Sequence, residues 1–514
     1  MIPDASPRLV GGVVVLMLII FRWFATPRRR LPPGPWSLPI IGSIHHMSFL
    51  KGPEYTFWQW REQFGDVVYF KLFQTPAIVL NSLAVARNLL DKRSANYSDR
   101  PRMVLMSEMI GYENCVPMMR YGERFRRQRK WIHDAMGVRS KLAGYQPIMR
   151  RGANVLLQDL LDSPEVFADH LHKYVAGSIQ EITYGRRLIS MEDELVVFAE
   201  RANTSTNDRG HPGSLLVDFF PMLKYIPTWM PGAGFKRRAM RARDDLVMWQ
   251  NIAVDRVKED MALGTGSPCV TSALLDAYSR KENRTAEKLE DIRGTGVSIY
   301  GGEQTHTTLL SFFLVMTRTP RVLRAAQDEV DHVVGRDRLP TFSDRDSLPY
   351  LNALLEEMLR WRPGLSLALP HSIINDDNYR GYDIPGGCMV LPNIWGMSRD
   401  TEFWPEPEEF RPERHLVGLK EKSAHGELPS GFVFGFGRRV CPGQAFADRA
   451  LWLAVSNIIA AFDILPPLNE AGEEVVPPAN FKPGLTRRVP FKCRVIPRSE
   501  KLAEMVMQSM QSDS

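Results

Sequence analysis

A lone cysteine among glycines and arginines, directly before a long apolar stretch, constrains this chain more than any other feature. The segment 434–443 reads FGFGRRVCPG and places Cys441 just ahead of an apolar run from about Gln444 to Phe462. We expect a tight loop that leads into a helix. The helix dipole and the neighbouring Arg438 and Arg439 would then lower the pKa of the Cys441 thiol.

The remaining cysteines narrow the chemistry of that thiol. The chain has five, all far apart and without a C-x-x-C pair: Cys115, Cys269, Cys388, Cys441 and Cys493. This pattern argues against a disulfide framework and a zinc site, and it favours a reducing compartment. A thiolate with no second Cys or His nearby suits a haem iron better than zinc. The alternative is a buried, inert cysteine.

Composition and periodicity predict a mainly α fold with minor β structure. The 514 residues are 44% hydrophobic and 24% charged, which excludes a disordered, collagen-like or multi-span membrane chain. Helical spacing prevails from about 83 to 360, as in Leu156 to Leu160 and again in Leu309 to Met316. A hairpin is predicted between Asp66 and Asn81. Strand-like sequence returns at 370–395 and at 463–497, and there is no internal repeat.

The N-terminus predicts a membrane anchor. An apolar run from Leu9 to Phe21 continues past Arg22 to Ala25, which nearly reaches the length of about 20 residues that a bilayer requires. The basic cluster at 28–30 follows this run, so the main body should face the cytosol. A cleaved signal peptide is the alternative, but its basic cluster would precede the apolar run. We therefore predict an anchor over 1–26, a basic and proline-rich hinge over 27–45, and one large domain over 46–514.

The cysteine segment resembles the F-x-x-G-x-R-x-C-x-G signature of the cytochrome P450 haem-thiolate monooxygenases. It matches at Phe434, Gly437, Arg439, Cys441 and Gly443. The resemblance implies the P450 fold, with Cys441 as the axial ligand of haem b iron and Arg439 at a haem propionate. Phe434 and Gly443 would belong to the same haem-binding loop.

Two other segments resemble motifs of that family, in the family's order. Glu357 and Arg360 match the E-x-x-R motif, and 412–415 looks like P-E-R-F with His415 in place of Phe. In the family, the residues corresponding to Glu357, Arg360 and Arg414 form a buried salt-bridged triad. Its role is structural, and removal of one member would leave buried charge at a cost of about 3–5 kcal/mol.

A basic helix and a histidine complete the expected haem contacts. The stretch 121–129 resembles the W-x-x-x-R helix with Phe125 replacing Trp, and it implies that Arg129 meets a propionate. A solvated basic face is the alternative for this stretch. His371 stands where the family often places another propionate donor.

The distal helix departs from the family's A-G-x-D-T-T pattern, because 300–308 reads YGGEQTHTT. One register places Glu303 in the acid position and Gln304 in the alcohol position, and the other pairs Gln304 with Thr305. Neither reproduces the acid–alcohol pair that normally delivers protons during oxygen activation. Glu303 alone, or a water held by Gln304, could serve instead, while Thr305 could simply bond to its own helix. For His306 the alternatives are an iron ligand, a substrate contact or an ordinary packed or solvated side chain.

The segments that the resemblance places around the substrate are mostly apolar and rich in methionine. They are 103–119, the helix face around Tyr300, 365–369 and 485–486. They favour a small lipophilic substrate, and we interpret Glu108 and Glu113 as solvated loop residues. The apolar, proline-broken stretch 219–231 predicts contact with a membrane surface, with core packing as the alternative. Its form resembles the basidiomycete branch of the family, whose members commonly tailor secondary metabolites such as terpenoids.

The predicted function is therefore oxygen insertion from O2 by a single-pass protein of the endoplasmic reticulum membrane. NADPH would supply electrons through a flavin-containing cytochrome P450 reductase, with cytochrome b5 as a further donor and no nucleic-acid partner. The reductase would dock on Arg126, Arg127, Lys130 and Arg438. The alternatives are a haem-thiolate isomerase, lyase or dehydratase that needs no reductase, suggested by Gln304, and an inactive module that only binds lipophiles.

Overall fold

Helices dominate the part of the chain that the computed structural model describes, which is 29–48, 51–207, 212–279, 285–302, 304–416, 428–479, 481–482, 487–488 and 490–512. The α-helices of the first half are α1 (Pro53–Phe64), α2 (Leu83–Ala86), α3 (Ser94–Tyr97), α4 (Glu123–Met136), α5 (Arg139–Gly144), α6 (Gln146–Asp162), α7 (Phe167–Tyr184), α8 (Glu194–Asn207), α9 (Pro212–Phe219) and α10 (Gly234–Leu263). Those of the second half are α11 (Val270–Ser279), α12 (Ala286–Tyr300), α13 (Gln304–Arg318), α14 (Pro320–Val333), α15 (Pro349–Trp361), α16 (Ile394–Met397), α17 (Gln444–Ala461) and α18 (Glu500–Ser512). The prediction of a mainly α chain is confirmed.

Apolar spacing and capping explain why these helices form where they do. In α6 the predicted stripe from Ala153 to Leu160 is buried, and in α13 the stripe from Leu309 to Met316 is buried as well. The α12 helix begins after Thr285, whose side chain accepts a hydrogen bond from the N–H of Lys288 at 3.4 Å. Such a cap satisfies an N–H that the first helical turn leaves without a partner.

Short strands form small sheets beside the helices. They are β1 (Val67–Leu72), β2 (Thr75–Leu80), β3 (His371–Ser372), β4 (Asp377–Tyr379), β5 (Tyr382–Ile384), β6 (Met389–Pro392), β7 (Phe462–Leu465), β8 (Phe481–Lys482), β9 (Arg487–Arg488) and β10 (Arg494–Pro497). The largest sheet has the order β1-β2-β6-β3, and the others pair β10 with β7, β4 with β5 and β8 with β9. β1 and β2 form the predicted hairpin, in which Val67 lies opposite Leu80.

The proline-rich segment lies against the largest sheet. The C=O of Pro33 accepts a hydrogen bond from the N–H of Tyr69 at 2.9 Å. A Cβ on Gly34 would lie only 1.8 Å from the Tyr69 oxygen, so this close approach requires glycine. The predicted anchor over 1–26 lies outside the described residues. Among the residues that are described, no helix is long and apolar enough to cross a bilayer.

The α17 helix lies in the centre of the main helical core. Its residues from Leu451 to Ala461 are buried, and it contacts α6, α13, α14 and α15. Its second half is mostly apolar on all sides, as expected of a helix surrounded in this way. Its N-terminal end, which follows Cys441, is less buried than the rest of the helix.

Candidate active site

Two glycines shape the loop that presents Cys441. Gly435 and Gly437 have φ angles of 87° and 55°, in the left-handed region that other residues rarely adopt. A Cβ on Gly437 would lie 2.1 Å from the backbone oxygen of Leu90. The turn closes where the N–H of Cys441 donates to the C=O of Phe434 at 2.8 Å. The predicted loop and the helix behind it are therefore present.

The Cys441 thiol keeps an accessible surface, unlike the other four cysteines, which are buried or half-buried. The protein around it nevertheless excludes most bulk water, and this desolvation raises the thiol pKa. The N–H of Gly443, the charge of Arg129 and the N–H of Gln444 act in the opposite direction but do not outweigh it. The predicted lowering of this pKa is wrong for the polypeptide alone, because desolvation exceeds the effect of the helix terminus.

Arg439 does not act on the thiol as predicted, because other parts of the chain hold its guanidinium. It donates to the backbone oxygens of Ser98, Val116 and Met119 at 2.8, 3.1 and 2.8 Å. Its Cζ atom lies 3.8 Å from the centre of the Phe125 ring. Phe125, which replaces the family's Trp, thus supports this arginine through a cation–π contact.

Arg439 belongs to a group of basic side chains, which we call the cation cluster: Arg100, Arg129, His371 and Arg439. Burial and the nearby Arg439 hold the pKa of Arg100 well below its usual value. Burial lowers the pKa of Arg439 to about 10 and also lowers that of Arg129. Burial and the charge of Arg100 lower the pKa of His371 to about 3, although its Nδ1–H donates to the Tyr97 oxygen at 2.8 Å.

The cation cluster and the thiol together fit haem b. Buried cations normally have anionic partners, and Asp99 is the carboxylate that acts on both Arg100 and Arg439 among the described residues. A ligand with two carboxylates would neutralise the rest of the cluster. Arg129 connects the two parts, because its Nη2 donates to the backbone oxygen of Val440, next to Cys441. A soft thiolate beside a carboxylate-binding pocket is the donor set that a haem iron and its propionates require.

The structure brings Glu357, Arg360 and Arg414 together, and we call them and the donors around Glu357 the triad group. Arg360 donates to both oxygens of Glu357 at 2.7 and 2.8 Å, and Arg414 Nε donates at 3.2 Å. Two further donors complete the group: His415 Nε2 lies 2.7 Å from Oε2, and the N–H of Arg411 lies 2.8 Å from Oε1. Burial would raise the pKa of Glu357, but the hydrogen bonds from Arg360 and His415 outweigh it and lower the pKa to about 2.

The predicted distal helix is interrupted. The α12 helix ends at Tyr300 and α13 begins at Gln304, with Gly301 and Gly302 between them exposed. Tyr300 is fully buried and its ring meets that of Trp249 edge-on at 5.2 Å, so it packs against α10. Glu303 and the side chain of Gln304 lie outside the described part of the structure, and Thr305 is buried. The proton-delivery roles of these residues therefore remain predictions.

His306 packs against α7. Its Nε2–H donates to the backbone oxygen of Ala168 at 3.2 Å, and its ring stacks on His172 with a centroid distance of 4.9 Å. Both contacts are on the side of α13 that faces α7. The structure thus favours the ordinary packed histidine over an iron ligand.

The predicted reductase-binding residues separate into two kinds. Arg126, Lys130 and Arg438 are exposed. Arg127 instead forms an ion pair with the fully buried Asp291 on α12, and the hydrogen bond from its Nε is 3.0 Å long. Its charge compensates a buried carboxylate within the protein, so a docking role for Arg127 stays a prediction.

Glu108 connects the segment 103–119 with the segment that carries Lys224. It accepts hydrogen bonds from Arg102 at 2.5 and 3.0 Å and from Lys224 Nζ at 2.7 Å. These bonds lower its pKa to about 2. The N–H of Leu105 donates to Asp218 at 2.9 Å across the same junction. We call Arg102, Glu108 and Lys224 the entrance latch. The interpretation of Glu108 as a simply solvated residue is wrong.

The segments predicted to line the substrate pocket are buried to different degrees where the structure describes them. Met106 and Met119 are buried, whereas the neighbouring methionines of the loop are half-buried. The stretch 365–369 is mostly half-buried, and 485–486 lies outside the described residues. The adaptable entrance that the methionine content predicts stays a prediction.

The sequence analysis did not predict that Arg100 is buried beside Arg439, or that His415 bonds to Glu357. Arg100 donates to three backbone oxygens and is buried, but an arginine before a proline in a loop carries no pattern that marks it. His415 did carry a signal, because it departs from the motif at a position where an apolar ring is usual. A polar replacement at a buried position predicts a new hydrogen-bond partner.

Comparisons with known proteins agree with this site. The cytochrome P450 family model matches residues 32–485. Cytochrome P450 monooxygenase 176 of Postia placenta is 38% identical over 98% of this chain and 97% of its own length. Cytochrome P450 monooxygenase COX2 of Coprinopsis cinerea is 37% identical over 99% and 96%, respectively. The chain therefore belongs to the cytochrome P450 family and is an oxidoreductase with haem-thiolate monooxygenase relatives in basidiomycete fungi.

Proposed function

We propose that this enzyme inserts one oxygen atom from O2 into a small lipophilic substrate, by hydroxylation or epoxidation, in fungal secondary metabolism of the terpenoid type. The observation that carries the proposal is the pairing of an accessible Cys441 thiol with the buried cation cluster. This pairing supports a bound haem b, and the monooxygenase relatives support its use for oxygen insertion.

The residues would divide the work as follows. Cys441 would ligate the iron, and the cation cluster would hold the two propionates. Haem, when bound, supplies the capacity to activate O2. Gly301 and Gly302 leave space beside the distal helix because they have no side chains. Protons would travel from the Glu303 carboxyl group to the reacting oxygen, directly or through a water held by Gln304 or Thr305.

The surroundings of the entrance support a substrate without a fixed charge. The methionines of 103–119 provide apolar and adaptable contacts. The negative charge of Glu108, the carboxylate of the entrance latch, is already compensated by Arg102 and Lys224. A charged substrate would have to compete with these bonds, whereas a lipophilic one would not.

An exposed apolar surface supports membrane contact. Met222 and Trp229 are 77% and 79% exposed, and Ile40, on the segment before α1, is 72% exposed. Phe73, in the turn between β1 and β2, connects these parts because its ring lies 5.1 Å from that of Phe219. Large exposed apolar side chains in neighbouring segments mark an interaction surface. We propose that this surface rests on the endoplasmic reticulum membrane, where the segment 1–26 anchors the chain and the domain faces the cytosol.

Electron supply is the remaining part of the proposal. The exposed Arg126, Lys130 and Arg438 offer positive charge to an acidic flavin-containing reductase that draws electrons from NADPH, and cytochrome b5 could use the same surface. Substitution of these three residues by glutamate should slow reduction of the haem by the reductase. Chemical reduction by dithionite would stay unchanged.

The decisive experiment uses membranes that contain the full chain and a fungal reductase. They are given a lipophilic extract of the host, NADPH and isotopically labelled O2, and products are examined by untargeted mass spectrometry. One labelled oxygen atom per product, formed only with NADPH, would support the proposal. Unlabelled isomers or dehydrated products formed without NADPH would replace it with an isomerase, lyase or dehydratase. Binding without any turnover would leave a lipophile-binding module.

A further inference from the structure

The α15 helix carries two consecutive carboxylates that serve different loops. Glu357 belongs to the triad group, while Glu356 is half-buried and faces the segment that leads to Cys441. Its Oε2 accepts the N–H of Ser430 at 2.9 Å, and its Oε1 accepts the hydroxyl of the same residue at 2.7 Å. Adjacent residues of a helix point about 100° apart, which explains how one turn reaches both loops.

Ser430 also contacts the start of α17. Its backbone oxygen accepts a hydrogen bond from Gln444 Nε2 at 2.8 Å. Gln444 is the first residue of α17, and its N–H lies 3.4 Å from the backbone oxygen of Cys441 and also acts on the thiol. A continuous series of contacts therefore runs from Glu356 through Ser430 and Gln444 to Cys441.

Other contacts hold different points of the same loop. Arg87 donates to the backbone oxygen of Gly431 at 2.6 Å, and Asp91 accepts the N–H of Gly437 at 2.5 Å. These two residues come from the segment after α2 and fix the loop from that side. The contact from Glu356 differs from these two because it continues to Gln444, the helix residue whose N–H acts on the thiol.

We propose that Glu356 is a positioning residue for the axial thiolate. By fixing Ser430 it fixes the side chain of Gln444, and with it the direction in which the N–H groups at the start of α17 face the sulfur. Hydrogen bonds to a metal-bound thiolate lower its basicity and tune the metal, so this direction matters after haem is bound. Burial raises the pKa of Glu356, and the two hydrogen bonds from Ser430 oppose this shift because they favour the ionised form.

The test compares the full-length holoprotein with the variants Glu356→Ala, Glu356→Gln and Ser430→Ala. Glu402→Gln, at an exposed glutamate, is the matched control. The readouts are the haem midpoint potential, the share of the reduced carbon monoxide complex that lacks the thiolate-type Soret band, and the rate of haem transfer to an acceptor protein. We expect Glu356→Ala to raise the haem transfer rate about 10-fold and to shift the potential. Glu356→Gln should recover part of the effect, since its amide oxygen still accepts one bond.

A role limited to fold stability would give a different result. The thermal midpoint would then fall while the Soret band, the potential and the haem transfer rate of the remaining holoprotein stay at wild-type values, and the proposal would be overturned. Unchanged readouts in all variants would overturn it too. If Glu356→Ala fails to fold, Ser430→Ala decides, because it removes the hydroxyl bond and keeps the N–H bond. The result does not depend on the substrate, so it is separate from the test of the proposed function.

Discussion

Different ion pairs hold the two sides of the site: the triad group on the proximal side, behind the predicted haem, and the entrance latch on the distal side, where substrate is expected. On the proximal side, Glu357 and Arg360 are fully buried, and the carboxylate accepts bonds from four residues. On the distal side, the three members of the entrance latch are 53%, 27% and 23% exposed. Loss of one partner leaves an uncompensated charge in the first case and a solvated one in the second. The cofactor side is built to stay closed, whereas the substrate side can open at little cost.

Loss of the axial ligand should have the largest effect. Cys441→Ala removes the soft donor that we assign to the iron, so the reduced protein with carbon monoxide should lose the thiolate-type Soret band entirely. Cys269→Ala, at a half-buried cysteine on the chain, is the control and should keep the band. A band that survives in Cys441→Ala would show that another residue binds the iron.

The next largest effect should come from the triad group. Glu357→Gln leaves the buried Arg360 without its carboxylate, which should lower the free energy of unfolding by about 3–5 kcal/mol and reduce the yield of haem-loaded protein. Chemical denaturation measures the change. Glu406→Gln is the control, because Glu406 is 61% exposed where it pairs with Arg411. If the two variants lose similar stability, the proposed contrast between buried and exposed ion pairs fails.

A pH dependence should distinguish the protein with and without haem. The pKa of His371 is about 3 in the folded polypeptide and about 6.5 when unfolded, so the unfolded state binds one more proton between these values. The stability contribution is therefore complete above pH 6.5 and is lost as the pH falls, with a slope of up to about 1.4 kcal/mol per pH unit.

Denaturation of the haem-free protein at several pH values should show this slope, and His371→Gln should reduce it. Bound propionates would favour the protonated ring and flatten the slope in the holoprotein. Equal slopes for the two forms would argue that His371 does not contact a propionate.

The smallest effect is expected at the entrance latch. Glu108→Gln should change the free energy of unfolding by about 1 kcal/mol or less, because exposed ion pairs contribute little. It should raise the association rate of a lipophilic ligand, measured by stopped-flow at low salt, and the difference should shrink as salt is added. Glu113→Gln, at an exposed residue of the same segment, should leave the rate unchanged. A slower association in Glu108→Gln would contradict an opening role for the latch.

The sequence predicts the proximal side better than the distal one, and the difference has a physical cause. Cys441 and Glu357 belong to short motifs that resemble those of the family, so the resemblance implied several of their neighbours. Arg100 reaches Leu369 and Glu108 reaches Lys224 across large distances in the chain, and no local pattern encodes these contacts. The predicted direction of the shift in the Cys441 thiol pKa was wrong. The shift depends on desolvation by the packing around α17, which a sequence pattern does not reveal.

The cation cluster also affects the steady-state amount of this enzyme in a cell. Three arginines gathered in one region repel one another until an anion joins them, so chains that fold before haem arrives are the less stable form. Partly unfolded chains are the ones that cellular proteases remove, and a deficit of one or two kcal/mol changes abundance several-fold. The steady-state amount of the protein should therefore follow the haem supply of the host, even when transcription and translation are constant.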